Sequence, residues 1–282
     1  LTVTFQLDHA LVARAELTNE STDRYLLDAL TVTLPVPQHA GELGAFDGRW
    51  TRELHPVRRQ WPSGAHTVEN RRGRTSHEHP PLVFAGTPGY GEWHGSVWGA
   101  HLAWSGNHVV HADRLPDGRR YVQLGELLHP GELSLEPGES YRTPEVIAVH
   151  SESGLTAATQ QFHRHMRSRA AHPNSPRPVL VNTWEAVYFD HDLDTLRALA
   201  DRAARVGVER FVLDDGWFGS RRDDRSGLGD WVVSADAHPH GLLSVEEVVS
   251  KSSNVGTAKI ALELPAQTLW DTYTAAGFGQ AP

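Results

Sequence analysis

One stretch of this chain brings together side chains that could grip a polar ligand: Arg210-Phe211-Val212-Leu213-Asp214-Asp215-Gly216-Trp217. Adjacent carboxylates repel, and burying either without a partner is costly, so their place after an apolar run asks for a reason. A polyhydroxylated ligand supplies one. An ionised carboxylate accepts from two hydroxyls at once, and such charge-assisted bonds are the strong kind. Trp217 adds a rigid apolar face with one N–H donor, suited to the C–H face of a sugar ring. The plainer alternative is an Asp-Gly turn after a strand, with both acids in water.

The elements around this stretch favour the ligand. Phe211 to Leu213, with Val208 upstream, predicts a short, fully buried strand, and Val179-Leu180-Val181 predicts another that ends in Asn182-Thr183-Trp184-Glu185. Between them Leu193, Leu196, Leu199, Ala200, Ala203 and Val206 recur at helical spacing, with Asp192 as N-cap and Gly207 as the stop. Strand, helix and strand over this length give a parallel pair with a crossover helix. Where such units close into a barrel, the strand C-termini share the face that carries the active site. Trp184 on one strand end and Asp214, Asp215 and Trp217 on the other are therefore candidate ligand-binding residues.

Upstream, residues 151–178 read as a connection. Leu155, Ala158, Phe162 and Met166 predict a helix from Ser153 to Ala170, with Ser153 as N-cap. The Pro-rich joint His172-Pro173-Asn174-Ser175-Pro176-Arg177-Pro178 predicts an interdomain linker. Residues 1–150 read as an antiparallel β-sandwich. Val3, Phe5 and Leu7, and then Leu30, Val32 and Leu34, alternate with polar residues, which predicts half-buried strands. Pro116-Asp117-Gly118 between Val109–Leu115 and Arg120–Leu128 predicts a hairpin.

Composition narrows the partners. The chain has 282 residues, room for more than one domain, and a formal net charge of −9 with no basic stripe, which argues against nucleic acid. No apolar run approaches the roughly 20 residues that span a bilayer, so no membrane partner is expected. There is no cysteine, which removes disulfides, thiolate metal sites and Cys nucleophiles but fits either redox compartment. Leu1-Thr2-Val3-Thr4-Phe5 alternates like a strand rather than a signal peptide. A cytoplasmic location is the expectation, and the start without Met suggests a piece of something longer.

At these residues the sequence resembles the family 36 glycoside hydrolases, the bacterial α-galactosidases. Pro178-Val-Leu-Val-Asn-Thr-Trp-Glu-Ala-Val-Tyr-Phe189, Phe211-Val-Leu-Asp-Asp-Gly-Trp-Phe-Gly219 and Leu228-Gly-Asp-Trp231 are similar to the start of that family's barrel. Gly48-Arg-Trp-Thr-Arg-Glu53, Gly73-Arg-Thr-Ser-His-Glu-His79, Trp104-Ser-Gly-Asn107 and Tyr141-Arg-Thr-Pro-Glu145 are similar to its β-domain, in the family's order. The resemblance runs to about Leu242. It implies a multidomain β plus α/β architecture: a β-sandwich over 1–150, a connection over 151–178, and over 179–242 the first two β/α units of a truncated (β/α)8 barrel. It implies hydrolysis of terminal α-1,6-linked galactose from melibiose and raffinose-type oligosaccharides with retention of configuration, by a homotetramer, without a cofactor. It assigns the galactose hydroxyls to Asp214 and Asp215. Trp50 would reach an active site, that of a neighbouring subunit, although a sandwich-core aromatic is an alternative for it. A retaining enzyme also needs two carboxylates about 5 Å apart, a nucleophile and an acid/base. The family's motifs for both are missing from this sequence, so no residue is taken as catalytic and the chain alone is expected to be inactive.

Beyond Leu242 the reading changes. Arg alone is used up to that point, whereas 243–282 uses only Lys and has none of the 18 His. Residues 244–262 and 269–279 resemble the transpeptidase domain of penicillin-binding proteins, with Ser252-Ser253-Asn254 as its Ser-x-Asn motif, but the Ser-x-x-Lys and Lys-Thr-Gly partners do not occur. The expectation is a junction with a foreign helical tail, its first helix over 244–264. The alternative for the whole is a non-catalytic carbohydrate-binding sandwich fused to that segment. Two smaller constellations remain. His77-Glu78-His79 on a strand would offer a metal pair, with surface histidines as the alternative and no metal taken as the expectation. Arg221-Arg222-Asp223-Asp224-Arg225 reads as a solvated loop rim with weak mutual ion pairs.

Overall fold

The computed structural model describes residues 1–229 and 232, and its chain divides into two compact units, Leu1–His172 and Pro173 onward. In the first unit fourteen strands succeed one another: β1 (Thr2–Leu7), β2 (Leu11–Thr18), β3 (Tyr25–Leu27), β4 (Val32–Val36), β5 (Glu42–Arg49), β6 (Arg52–Gln60) and β7 (Gly64–Asn70). After them come β8 (Leu82–Gly86), β9 (Val97–Leu102), β10 (His108–Arg114), β11 (Arg120–Glu126), β12 (Leu133–Leu135), β13 (Ser140–Arg142) and β14 (Val146–Ser151), then helix α1 (Gly154–Ser168). Eight of the strands make one antiparallel sheet in the order β1-β2-β14-β9-β8-β5-β6, with β13 also paired to β2. Four make a second, β4-β11-β10-β7.

The apolar faces of these two sheets meet. Ala13 and Ala15 of β2, Leu43 of β5 and Leu102 of β9 share a buried cluster with Val32 of β4, Val110 of β10 and Leu124 of β11. Alternation explains the arrangement: along β4 the buried Val32, Leu34 and Val36 are separated by exposed Thr33 and Pro35. The opposite face of the larger sheet is closed by α1, whose buried Ala158 joins Phe84, Val97 and Ile147, with Leu155 and Phe162 packed against them. The hairpin at Pro116-Asp117-Gly118 links β10 to β11 in register from His108↔Glu126 to Arg114↔Arg120, and Gly118 takes the positive φ of +88° that its turn requires.

Two expectations for this unit fail. Val3, Phe5 and Leu7 form no buried face: β1 is an edge strand, bonded only to β2, and all six of its residues are exposed, Phe5 by 59% and Leu7 by 79%. Period two predicts a strand, but burial of one face needs a second layer, and β1 lies outside the described overlap of the sheets. Ser153 does not cap α1 with its side chain. The first helical N–H groups are satisfied by backbone instead: Gly154 donates to Gly95 (2.9 Å), Leu155 to Gly91 (3.0 Å) and Thr156 to Glu92 (3.0 Å).

In the second unit β15 (Leu180–Asn182) pairs in parallel with β16 (Arg210–Val212), and the crossover between them contains the one-turn α2 (Trp184–Val187) and α3 (Leu193–Arg205). Asp192 caps α3 as its sequence predicts, accepting from Thr195 N–H at 2.8 Å, and Gly207 comes after the helix at φ +85°. Each strand sits one residue away from its predicted bounds. Neither is fully buried: Arg210 and Leu180 are exposed and Phe211 and Val212 half-buried, because among the described residues this sheet has two strands and one crossover to cover it. The helix predicted over 244–264 and the rest of the foreign tail lie outside the described residues.

Candidate functional site

The parallel register brings Asn182 opposite Val212, so the chain leaves both strands at the same end. Just past that end the polar groups are knotted together. The backbone first closes the knot, Thr183 N–H donating to the Val212 carbonyl at 3.0 Å and Asp214 N–H to the Thr183 hydroxyl at 3.2 Å. Thr183 is 2% exposed, so this hydroxyl is a buried acceptor for the turn rather than a water-facing group. The Asn182 side chain then ties the two strand ends together. Its Oδ1 accepts from Trp184 N–H at 2.8 Å, and its Nδ2 donates to Asp214 Oδ2. Asp214 Oδ1 accepts from Asp215 N–H at 2.6 Å. Both bonds to Asp214 come from neutral donors.

Asp215 is held differently. Arg221 grips it through Nε, 3.1 and 3.0 Å from Oδ1 and Oδ2, and through Nη2, 2.8 Å from Oδ2, while Gly216 N–H reaches Oδ1 at 2.9 Å. The Arg221 hydrogen bonds hold the Asp215 carboxyl below the usual aspartate range, against an opposing push from partial burial. The two acids do not alternate along a strand; they sit in the turn beyond β16, where their orientation is set by these donors. Gly216 completes the turn at φ +98°, with Phe189 and His191 about its Cα: a Cβ there would stand 3.2 Å from each ring. Burial and the nearby Arg222 lower the His191 pKa, so the ring beside this turn is neutral near pH 7.

The aromatic candidates separate. Trp184 is half-buried on α2, not on a strand end, and meets Phe189 edge-on at 4.9 Å and Tyr188 at 5.2 Å. Trp217 is 7% exposed and edge-on to Phe218 at 5.0 Å, so it presents no open face. Trp50 belongs to the first unit, at the tip of the hairpin between β5 and β6, where Thr51 takes φ +65°. At 74% exposure it is not a sandwich-core residue; among the described residues its one ring neighbour is His77, edge-on at 6.0 Å. The structure thus gathers Trp184, Asp214, Asp215 and Trp217 into one unit around one turn.

Other candidates dissolve or change role. His77 and His79 lie outside any strand and face different carboxylates, His77 toward Glu53 at 4.0 Å and His79 toward Asp47 at 3.2 Å. Among the described residues no cluster of three metal-ligating side chains forms, and no helix is long and apolar enough to cross a membrane. The 221–225 run is not a solvated rim throughout. Arg221 is 5% exposed and bonded, whereas Arg222 to Arg225 are exposed as expected, with Arg225 3.9 Å from Asp224. A cavity of about 380 Å³ opens in the first unit, with Trp98 and His150 in its lining, but aliphatic side chains line most of it and Asp8 is its single carboxylate among the described residues. It offers no acid pair. Two site residues escaped the sequence pattern, Asn182 and Arg221. The signal for Asn182 was its place opposite the last residue of the next strand, which no single strand reveals.

Comparison with known proteins bears on most of the chain. Residues 1–136 match the model of the glycosyl hydrolase family 36 N-terminal domain, and residues 140–259 match the melibiase model. The second match passes Leu242 and takes in Ser252-Ser253-Asn254, so the family likeness extends farther than the motifs suggest, and the transpeptidase resemblance finds no support. An α-galactosidase of Escherichia coli is 47% identical over 237 residues, 83% of this chain and 34% of its own length. The α-galactosidase AgaA of Geobacillus stearothermophilus is 35% identical over 86% of this chain and 34% of its own. Among solved structures, the α-galactosidase of Lactobacillus brevis aligns with a TM-score of 0.78 at 31% identity, covering 85% of this chain and 33% of that one. A variant of AgaA in complex with stachyose aligns at 0.75 and 34%, covering 81% and 32%. This chain spans about a third of the length of the curated relatives it matches. With both models in order along one chain, and relatives above 30% identity across most of it, the chain belongs to glycoside hydrolase family 36.

Proposed function

We propose that this chain is part of a retaining α-galactosidase that removes terminal α-1,6-linked galactose from raffinose-type oligosaccharides. In this reading Asp214 and Asp215 accept hydrogen bonds from galactose hydroxyls, Trp184 borders the sugar, Trp217 packs edge-on to Phe218, and Trp50 reaches the site of a neighbouring subunit in a tetramer. The β15–α3–β16 unit is the opening of a (β/α)8 barrel, whose active face is at the strand C-termini. The observation that carries the proposal is Asp214: a carboxylate at the shared end of two parallel strands, bonded to neutral donors and retaining acceptor capacity for hydroxyls. The AgaA structures with stachyose and raffinose supply the substrate class by likeness.

None of the described residues is assigned as nucleophile or acid/base. Galactose titrated into the full chain, monitored by tryptophan fluorescence, tests the binding half of the proposal. Asp214→Ala is expected to weaken the response at least about tenfold, the loss of a charged hydrogen bond. Equal affinity in the variant would sink the assignment. A chromogenic α-galactoside tests the other half: turnover by this chain alone would place a nucleophile and an acid within it.

A further inference from the structure

A surface arginine usually spends its charge on water. Arg221 does not. It is 5% exposed, and its three nitrogens all meet fixed acceptors: Nε and Nη2 the two oxygens of Asp215, and Nη1 the Ser226 carbonyl at 2.9 Å. Its guanidinium carbon lies 5.3 Å from the centre of the Phe189 ring, and that ring touches Trp184 edge-on. The loop returns close to its backbone: at Gly227, φ +68°, a Cβ would stand 2.8 Å from the Arg221 backbone nitrogen, so only glycine lets the chain close here. A planar fork fixed at every nitrogen and packed on an aromatic face has one orientation, which lysine's point charge could not reproduce.

We propose that Arg221 is the positioning residue of the galactose site, aiming the Asp215 carboxylate so that its remaining acceptor capacity and that of Asp214 meet sugar hydroxyls at set angles. The inference rests on the galactoside reading above. A carboxylate offers about four acceptor positions. Gly216 N–H and the fork occupy part of them in a fixed pattern, and what is left points in a direction decided by the arginine rather than by the sugar. Preorganised acceptors need not be reoriented when the ligand arrives, which is where a supporting shell contributes to affinity.

The pair also has a pH signature. The groups that face Asp215 are Arg221 and His191, with Asp214 adjacent, and Asp223 and Asp224 act on Arg221 from its own loop. Because Arg221 lowers the Asp215 pKa, the pair is intact above the ordinary value of 3.8 and is lost only as the pH falls through the lower folded value. Removing the guanidinium makes Asp215 protonate at a higher pH, so the acid limb of galactose binding moves up.

The test uses the full chain, with galactose titrated across pH by tryptophan fluorescence and the Asp215 carboxyl monitored by carbon NMR. Arg221→Gln is expected to weaken galactose at pH 7 on the order of tenfold and to raise the Asp215 midpoint. Arg221→Lys, which keeps the charge without the fork, should return the midpoint toward wild type while affinity stays low. An Arg221→Gln variant with unchanged affinity and acid limb overturns the proposal. If that variant does not fold, Arg221→Lys decides: wild-type affinity in it overturns the proposal, and lowered affinity with a retained acid limb supports it. A wild-type chain that gives no galactose response overturns the galactoside reading itself, and does so before any variant is made.

Discussion

The two units are stabilised by different means. In the first, aliphatic side chains from two sheets fill a common interior, with Leu102 and Leu124 at 0% exposure. In the second, the described helix α3 has no buried residue, and order at the strand ends comes from directed bonds among Asn182, Thr183, Asp214, Asp215 and Arg221. Apolar burial tolerates small shifts and scales with area, whereas a chain of hydrogen bonds is either satisfied or costly. A scaffold can rest on the former. A site that must distinguish hydroxyl directions needs the latter.

That contrast can be broken experimentally. The largest effect is expected at Leu124, where replacement by alanine leaves a cavity between the sheets and costs about 3 kcal/mol, read as a lowered urea midpoint. A loss below about 1 kcal/mol would mean the sheets are not closely packed there. In the second unit Gly216→Ala is expected to cost about 1–2 kcal/mol, because alanine must take φ +98° with two rings 3.2 Å from its methyl. Hydrogen exchange at the Asp215 amide would rise in this variant while that of Leu124 stays slow, and a uniform rise would show that the units do not respond separately. Asp192→Ala removes a side-chain cap and should cost about 1 kcal/mol, seen as faster exchange in the first turn of α3. The smallest effect falls on Val206: 80% exposed at the end of α3, it should lose no more than about 0.5 kcal/mol on going to alanine. A larger loss would reveal packing on this face that the described residues do not show.

The same contrast decides what could be read from the sequence. Periodicity located β4, the hairpin between β10 and β11, helix α1, and the parallel pair with its capped helix, because each is a local pattern repeated often enough to stand out. It misjudged β1, whose alternation is as clean as that of β4 but whose apolar face meets no second layer. Composition and turn chemistry placed Asp214 and Asp215 beyond a strand, yet nothing in their spacing told that one would be bonded by an asparagine and the other by an arginine. Arg221 read as one of several charges in a loop, since burial of a single residue among exposed neighbours depends on how the loop returns through Gly227. The change from arginine to lysine near Leu242 finds no support as a boundary of family likeness. A break in composition is weak ground for a boundary when the melibiase match crosses it.

The backbone junction at the start of α1 has a practical corollary. Its opening turn is completed by carbonyls at 91, 92 and 95, and a methyl at Gly154 would come within 2.6 Å of three backbone atoms there. A synthetic peptide of the helix alone would lack the acceptors of its first three N–H groups and should stay a coil in water. In a saturation library, position 154 should return glycine and almost nothing else.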